Sequence, residues 1–359
     1  MNPTKTLTYS NLCRTAFGYA GSQVLYAAVR LGVPDALADG PVPVDELARR
    51  LGCDPDGLTR LLRALVVLGA VEEASPGRVA LAPEAGPLCA DHPRSIQAGV
   101  LLFGAPATWR AWGALADGVR TGEPAFDHVH GRPLFDHLAR DPALSAVFNA
   151  AMGQGTEWVA AEVPKAYDLG SARTVVDVGG GSGVLLAAVL AAVPEARGIL
   201  YDTTAGAAGA AETLRRAGLS DRCAVRTGDF FTGVPGGDVI LVKGILHDWD
   251  DGRCVTLLRH CRRSIAPDGR LLVLEPVLPD RMDAPDAAGA VMSDIAMLVY
   301  TGGRERTRTQ FQDLFAAGGF DLADVTEPLA GTGIRILVGH PSRQTDTGLS
   351  NVEYPIPGV

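Results

Sequence analysis

The run Thr174-Val175-Val176-Asp177-Val178-Gly179-Gly180-Gly181-Ser182-Gly183 constrains the fold most. It ends an apolar strand in a glycine turn and enters an apolar helix beginning Val184-Leu185-Leu186. Strand, glycine turn and helix in that order predict the first βα unit of a doubly wound sheet, with the turn at the carboxyl edge where ligands bind. There glycine lets backbone N–H groups approach a ligand, and the helix N-terminus favours its negative end.

The glycines stand at 179, 181 and 183, and Val184 occupies the position where the dinucleotide fingerprint G-x-G-x-x-G needs its third small residue. Gly-x-Gly-x-Gly is instead a methyltransferase spacing. A second apolar segment, Gly198-Ile199-Leu200-Tyr201, ends in Asp202, about twenty residues past the turn, where a ribose diol is gripped. A third, Val225-Arg226-Thr227-Gly228-Asp229-Phe230-Phe231, sets an acid and an aromatic at a strand end, suited to an exocyclic amine and the face of an adenine. The cofactor these residues imply is S-adenosylmethionine, with the glycine turn facing its methionine portion.

The organisation around this core is α/β. Strands at Val175–Val178, Gly198–Tyr201, Ala224–Arg226, Asp238–Val242 and Arg270–Leu274 alternate with helices, predicting a Rossmann-like doubly wound domain. A helix over Thr309–Ala317 and a closing hairpin, Phe320–Glu327 with Gly333–Gly339, complete it. Upstream, apolar residues recur at helical spacing from Asn11 to Gly32 and are more numerous than one core requires. Helical patterns at Val44–Leu51 and Asp56–Leu68, then a strand pair around Ser75-Pro76-Gly77, read as a winged helix. The expected division is a mainly helical winged-helix dimerisation domain over 1–100, a helical substrate roof and catalytic domain over 101–343, and a tail over 344–359. Trp109, Trp112, Phe126, Phe135, Phe148, Met152 and Trp158 at this density suit that roof; for any one of them alone, ordinary helix core is the better reading.

Charge argues against the other use of a winged helix. The net charge is -9, and the expected groove helix offers only Arg60 and Arg63 amid Asp45, Glu46, Asp54, Asp56, Glu72 and Glu73. Nucleic-acid binding needs a concentrated basic surface, so no nucleic-acid partner is expected, and the surplus apolar surface is better covered by a second copy in a homodimer. The six cysteines form no C-x-x-C pair and no zinc spacing with histidine, so reduced thiols and no metal are expected. The chain lacks a signal-peptide core at its N-terminus and any apolar run of the roughly eighteen residues a membrane span needs. A cytoplasmic enzyme with no membrane partner is the expectation.

The chemistry gathers at the next strand ends. Leu241-Val242-Lys243-Gly244-Ile245-Leu246 leads into His247-Asp248-Trp249-Asp250-Asp251, placing a histidine beyond the carboxyl edge; Leu272-Val273-Leu274 ends in Glu275, one strand over. Glu305, in Gly302-Gly303-Arg304-Glu305-Arg306-Thr307, precedes the last helix within reach of the same cleft. A histidine held by carboxylates is a general base, because the acid fixes the imidazole tautomer and stabilises the imidazolium formed when a proton arrives. A phenol, with a pKa of about 10, becomes a good nucleophile only as its proton leaves.

In order and content these motifs resemble the dimeric small-molecule O-methyltransferases, the plant caffeate-type and bacterial natural-product family, over nearly the whole chain. The resemblance implies transfer of a methyl group from S-adenosylmethionine to a hydroxyl of a phenolic or other aromatic natural product. It implies cofactor contacts from Gly179, Gly181, Asp202, Asp229, Phe230 and Lys243, with Met152 and Thr156 near the methionine end. His247 is the implied base and Glu275 and Glu305 orient it. Gly244 stands where many relatives carry a larger residue, and Asp250 where plant members commonly carry serine. Asp294 and Met297, on an expected helix before Glu305, are candidates for lining the acceptor pocket. The alternatives are N-methylation, a related scaffold turned to cyclisation, decarboxylation or hydroxylation, and a cofactor-sensing winged-helix regulator.

Overall fold

The computed structural model describes residues 8–281, 284 and 287–343. The expected tail, 344–359, lies outside the described residues. The described residues divide into two compact units: the first runs to Trp109 and takes in Ala146–Gln154, and the second comprises Arg110–Ser145 with those from Gly155 on. This division differs from a cut at residue 100, because part of the helix Pro142–Ala160 belongs with the first unit.

In the first unit the apolar stretch expected as one helix is two, Tyr9–Ala16 and Gly18–Arg30. The break falls at Phe17-Gly18, where the Phe17 backbone leaves helical geometry (φ -101°, ψ 4°) and glycine is a weak helix former. Helices Val44–Leu51 and Pro55–Val67 follow, the second capped by Asp54, whose carboxylate accepts from the Gly57 N–H at 2.8 Å. Strand Arg78–Leu81 pairs antiparallel with Val71–Ser75 and also with a short strand, Val42–Pro43, giving a three-stranded wing. Leu47, Leu58, Leu62, Leu65, Val71 and Val79 close its core. Tyr9, Leu12, Phe17 and Tyr19 remain exposed, and the helix Tyr9–Ala16 buries nothing.

The second unit is built on a mixed sheet of eight strands: β1 (Thr174–Val178), β2 (Arg197–Asp202), β3 (Cys223–Thr227), β4 (Gly237–Lys243), β5 (Ile265–Leu278), β6 (Arg306–Thr307), β7 (Phe320–Val325) and β8 (Ile334–Pro341). The order is β7-β8-β5-β4-β1-β2-β3, with β6 added to the end of β5. β1 to β5 are mutually parallel, and β7 and β8 run antiparallel at one edge. Parallel strands are covered on both faces, and the sequence obeys this. Val175, Leu241, Leu272 and Leu274 pack into one core layer, while Val176, Val178, Ile240, Val242, Leu271 and Val273 pack into the other. Each such burial stabilises by about 1.5–3 kcal/mol.

The chain leaves β1 for β2 and β3 on one side, then returns to β4 on the other. That reversal opens a crevice beyond the carboxyl ends of β1 and β4. Helices α1 (Val184–Ala192), α2 (Asp251–Ser264), α3 (Ala288–Tyr300) and α4 (Arg308–Gly318) frame the segments that matter to the site.

Candidate active site

The glycine turn after β1 is left-handed at Gly179, Gly181 and Gly183, with φ of 69°, 53° and 82°, a conformation side-chain-bearing residues rarely adopt. A Cβ at Gly179 would stand 2.4 Å from the Ile245 side chain, whereas one at Gly181 would meet nothing within 4 Å. The turn is therefore pressed against the β4 loop at Gly179 and open at Gly181. Asp202, at the end of β2, accepts from the Gly181 N–H at 2.8 Å and from the Thr203 N–H at 2.6 Å. One carboxylate thus joins the first two strand ends. Burial raises its pKa, and those backbone donors oppose the rise.

The third strand end contributes Asp229, which accepts from the Phe231 N–H at 2.8 Å. Phe230 stands edge-on to Phe231 and Trp249, with ring centres 4.7 and 6.4 Å away. The Arg253 guanidinium lies over Trp249 and Phe231 at 4.9 and 5.2 Å. An open glycine turn, an acid at the β2 end and an aromatic cluster beyond β3 have the donors and shape that an adenosyl group with a charged amino-acid tail requires. Lys243, ending β4, is half-buried, and burial lowers its pKa against the raising effect of Glu275 and Asp177.

The proton-handling group sits beside this crevice. Register pairs Lys243 with Leu274, so Glu275 falls one residue past the end of β4, level with the turn. Its Oε1 accepts from the N–H groups of Ile245 and Leu246 at 3.0 and 2.9 Å, and its Oε2 lies 3.3 Å from His247 Nδ1. Glu305 Oε1 lies 2.8 Å from the same nitrogen. Sequence reasoning placed His247 and Glu275 at one edge with Glu305 in reach, and the structure brings both acids against the histidine. With Nδ1 facing both acids, Nε2 remains, on the side of Gly244, whose Cβ would lie 3.7 Å from it. Gly244 has φ 61°, so a larger residue there would be strained by its backbone rather than by lack of space.

Burial by itself lowers the His247 pKa, but the charges of Glu275, Asp248 and Glu305 and the Glu305 hydrogen bond outweigh it and push the pKa up to about 10. Burial pushes Glu275 up to about 7 against the opposing pull of His247, and Asp248 up to about 6. The protons belong to the cluster as a whole, and the favoured arrangement is an imidazolium between carboxylates.

Two supports were not visible beforehand. Ser293, on α3, donates to Glu305 Oε1 at 2.6 Å. Arg306, 1% exposed, donates to the carbonyls of Leu246 and Trp249 at 2.8 Å each and to Asp251 Oδ1 at 2.8 and 3.0 Å. In sequence Arg306 is one more charge in a charged motif, and only its burial reveals it as the clamp on the His247 loop. Asp294 is half-buried and its Oδ1 accepts from the Glu305 N–H at 2.9 Å, so its carboxylate grips the Glu305 backbone. Met297 is half-buried on α3, and its carbonyl accepts from Thr301 and Gly302 at the helix end. Met152 lies on the first unit's part of the helix Pro142–Ala160 and is 41% exposed, while Thr156 lies on the second unit's part and is half-buried.

The family model for an O-methyltransferase domain matches residues 112–321, and that for an O-methyltransferase dimerisation domain matches residues 13–88. The phenazine O-methyltransferase PhzM of Lysobacter antibioticus is 40% identical over 326 residues, covering 90% of this chain and 94% of that one. The aclacinomycin 10-hydroxylase RdmB of Streptomyces purpurascens is 39% identical, covering 83% and 81%. Among solved structures, the O-methyltransferase NcsB1 from neocarzinostatin biosynthesis, in complex with S-adenosylmethionine and 2-hydroxy-5-methyl naphthoic acid, aligns with a TM-score of 0.75 at 31% identity, covering 90% and 96%. Among the described residues no helix is long and apolar enough to cross a membrane.

Proposed function

The chain belongs to the O-methyltransferase family, and from that premise we propose that it methylates a hydroxyl of an aromatic natural product, with His247 as general base, and works as a homodimer. The observation that carries the base assignment is the 2.8 Å contact of His247 Nδ1 with Glu305, backed by Glu275 at 3.3 Å. Once the resting imidazolium has lost its Nε2 proton, an Nδ1–H held by two acids leaves the Nε2 lone pair to take the acceptor's proton and stabilises the imidazolium that re-forms.

S-adenosylmethionine is the cofactor, and when bound it supplies an electrophilic methyl group on a positively charged sulfur. In this reading Gly179 and Gly181 would present their backbone to its amino-acid end, Asp202 would hold the ribose diol, Asp229 and Phe230 would take the adenine, and Lys243 would complete the set. Thr156 belongs to the same cofactor set. The acceptor is an aromatic ring bearing a hydroxyl, as in the naphthoic acid bound to NcsB1. Its proton passes to His247 Nε2, and Glu275 and Glu305 spread the resulting charge. The homodimer reading rests on the matched dimerisation domain and on the exposed Tyr9, Leu12, Phe17 and Tyr19.

A second reading is favoured by one finding: the 39% identical relative is named a hydroxylase. Transfer of isotopically labelled methyl from S-adenosylmethionine to a panel of hydroxylated aromatics separates the two. O-linked label that falls about 10²- to 10⁴-fold in His247→Ala, with cofactor affinity unchanged, supports methyl transfer with this base. Product formed without S-adenosylhomocysteine supports the changed chemistry, and undiminished label in the variant removes the base.

A further inference from the structure

We propose that His247, Glu275 and Glu305 also form a site for a divalent transition metal, with Zn²⁺ as the best-suited ion, and that the bound metal inhibits methyl transfer. The inhibitory half rests on the reading of His247 as base; the binding half does not.

Each of the three side chains offers a ligand atom within 4.8 Å of the others. Glu275 and Glu305 are 0% and 1% exposed, and the Oε2 of each is buried and accepts no hydrogen bond, that of Glu275 having only its 3.3 Å ion-pair contact with His247 Nδ1. A buried carboxylate oxygen without a donor is costly, and one cation between the two acids relieves both. With an imidazolium between them, these three side chains sum to one negative charge. With a neutral imidazole and a divalent ion they sum to zero.

The donor set selects the ion. One imidazole nitrogen and two carboxylate oxygens suit Zn²⁺, whereas Mg²⁺ and Ca²⁺ favour all-oxygen cages. Tetrahedral Zn²⁺ with bonds of about 2.0–2.1 Å sets its ligand atoms roughly 3.3 Å apart. His247 Nδ1 and Glu275 Oε2 are already at 3.3 Å, so Glu305 has only to withdraw from its hydrogen bond to admit the ion. Cysteine and histidine spacings gave no hint of this site, because its ligands come from a loop, a strand end and a segment that are distant in sequence.

Inhibition follows from which nitrogen is used. A metal on Nδ1 displaces the proton there, and the neutral imidazole then carries its one proton on Nε2. That is the nitrogen whose lone pair receives the acceptor's proton. A histidine locked in this tautomer donates where it should accept.

The test is a titration of the dialysed full-length protein with Co²⁺, followed by Zn²⁺. The expected result is one equivalent of Co²⁺ with visible absorption of a nitrogen–oxygen site and no thiolate-to-cobalt charge transfer. Zn²⁺ should displace it, slow methyl transfer in step with occupancy, and release the enzyme on addition of EDTA. Glu275→Gln and Glu305→Gln, checked as folded by circular dichroism, should each weaken binding by about tenfold or more. No binding, a thiolate band from the half-buried Cys13, Cys53 or Cys223, or undiminished affinity in both variants overturns the site. The Co²⁺ spectrum reads the site without turnover, and the metal-free comparison of native enzyme with His247→Ala reads the base, so either can fail alone. Filling with Zn²⁺ at unchanged rate overturns the inhibitory half.

Discussion

Arg306 Nη1 donates to the carbonyl of Leu246 at 2.8 Å, so the residue after one orienting acid holds the backbone immediately before the base. β6 pairs Arg306 with Val277, two residues past Glu275. A two-residue strand thus delivers Glu305 and the clamp together, beside the strand that carries the other acid. Arg306→Lys keeps the charge but lacks the planar fork that reaches both Leu246 and Trp249. Losing one of these charge-assisted hydrogen bonds to a buried carbonyl should cost about 1–3 kcal/mol. Thermal unfolding should fall by several degrees, and kcat should fall more than cofactor affinity. Full activity and an unchanged Tm would mean that the loop holds itself.

The pKa of His247 sets the direction of the pH–rate profile. The free base, pushed up to about 10, and a free phenol near 10 are both protonated at neutral pH, yet the reactive complex has room for one proton between them. One proton must leave on binding, so log kcat/KM should climb with a slope near one from about pH 7 to 9. An acceptor with a more acidic hydroxyl should bring the rise to lower pH. A profile flat across that range with both acceptors would sink the idea that the free enzyme rests as the imidazolium.

Much of this was legible because the sheet makes it so. Runs such as Val239–Val242 and Leu271–Leu274 are apolar on both faces, which only a covered parallel strand requires, and the residues that break each run stand at a carboxyl edge. Topology then brings Asp202, His247 and Glu275 to one edge of the sheet. What stayed hidden was support. Ser293 and Arg306 act through tertiary contacts that have no periodicity, and the contact of Asp294 with the Glu305 N–H was hidden because helical position does not reveal which way a carboxylate turns. Asp250 shows the opposite case. Its side chain accepts from the Arg253 N–H and caps α2, a task serine performs equally well, so that departure from the plant pattern is physically neutral.

Asp294 offers a test between two roles. If it works by fixing the Glu305 backbone, Asp294→Ala should lower kcat by a similar factor, about fivefold to tenfold, for every acceptor, and Asp294→Asn, which keeps an acceptor oxygen, should recover most of the loss. A pocket-lining role would instead change the ratio of kcat/KM between acceptors of different shape. Measuring both variants against two acceptors decides it. Ser293→Ala should lower kcat without altering that ratio, because its hydroxyl donates to the Glu305 carboxylate.

Asp177 lies under the glycine turn, 1% exposed, with Oδ2 lacking a donor, and burial pushes its pKa up to about 7. Asp202 adds to that rise, while Lys243 and the Leu186 N–H oppose it. An unfolded aspartate titrates near 3.9, so the folded pKa is the higher one. The neutral carboxyl's contribution is therefore fully present below about pH 3.9 and is lost as pH rises through 7. Above that the buried carboxylate costs on the order of 4 kcal/mol relative to its neutral form. Asp177→Asn, which retains an oxygen for the Leu186 N–H, should raise the urea midpoint at pH 8 and lose most of that advantage near pH 5. A variant no more stable than the native chain at pH 8 would mean that Lys243 compensates the charge. The acid would then be a balanced part of the turn's support rather than a strain carried for the site.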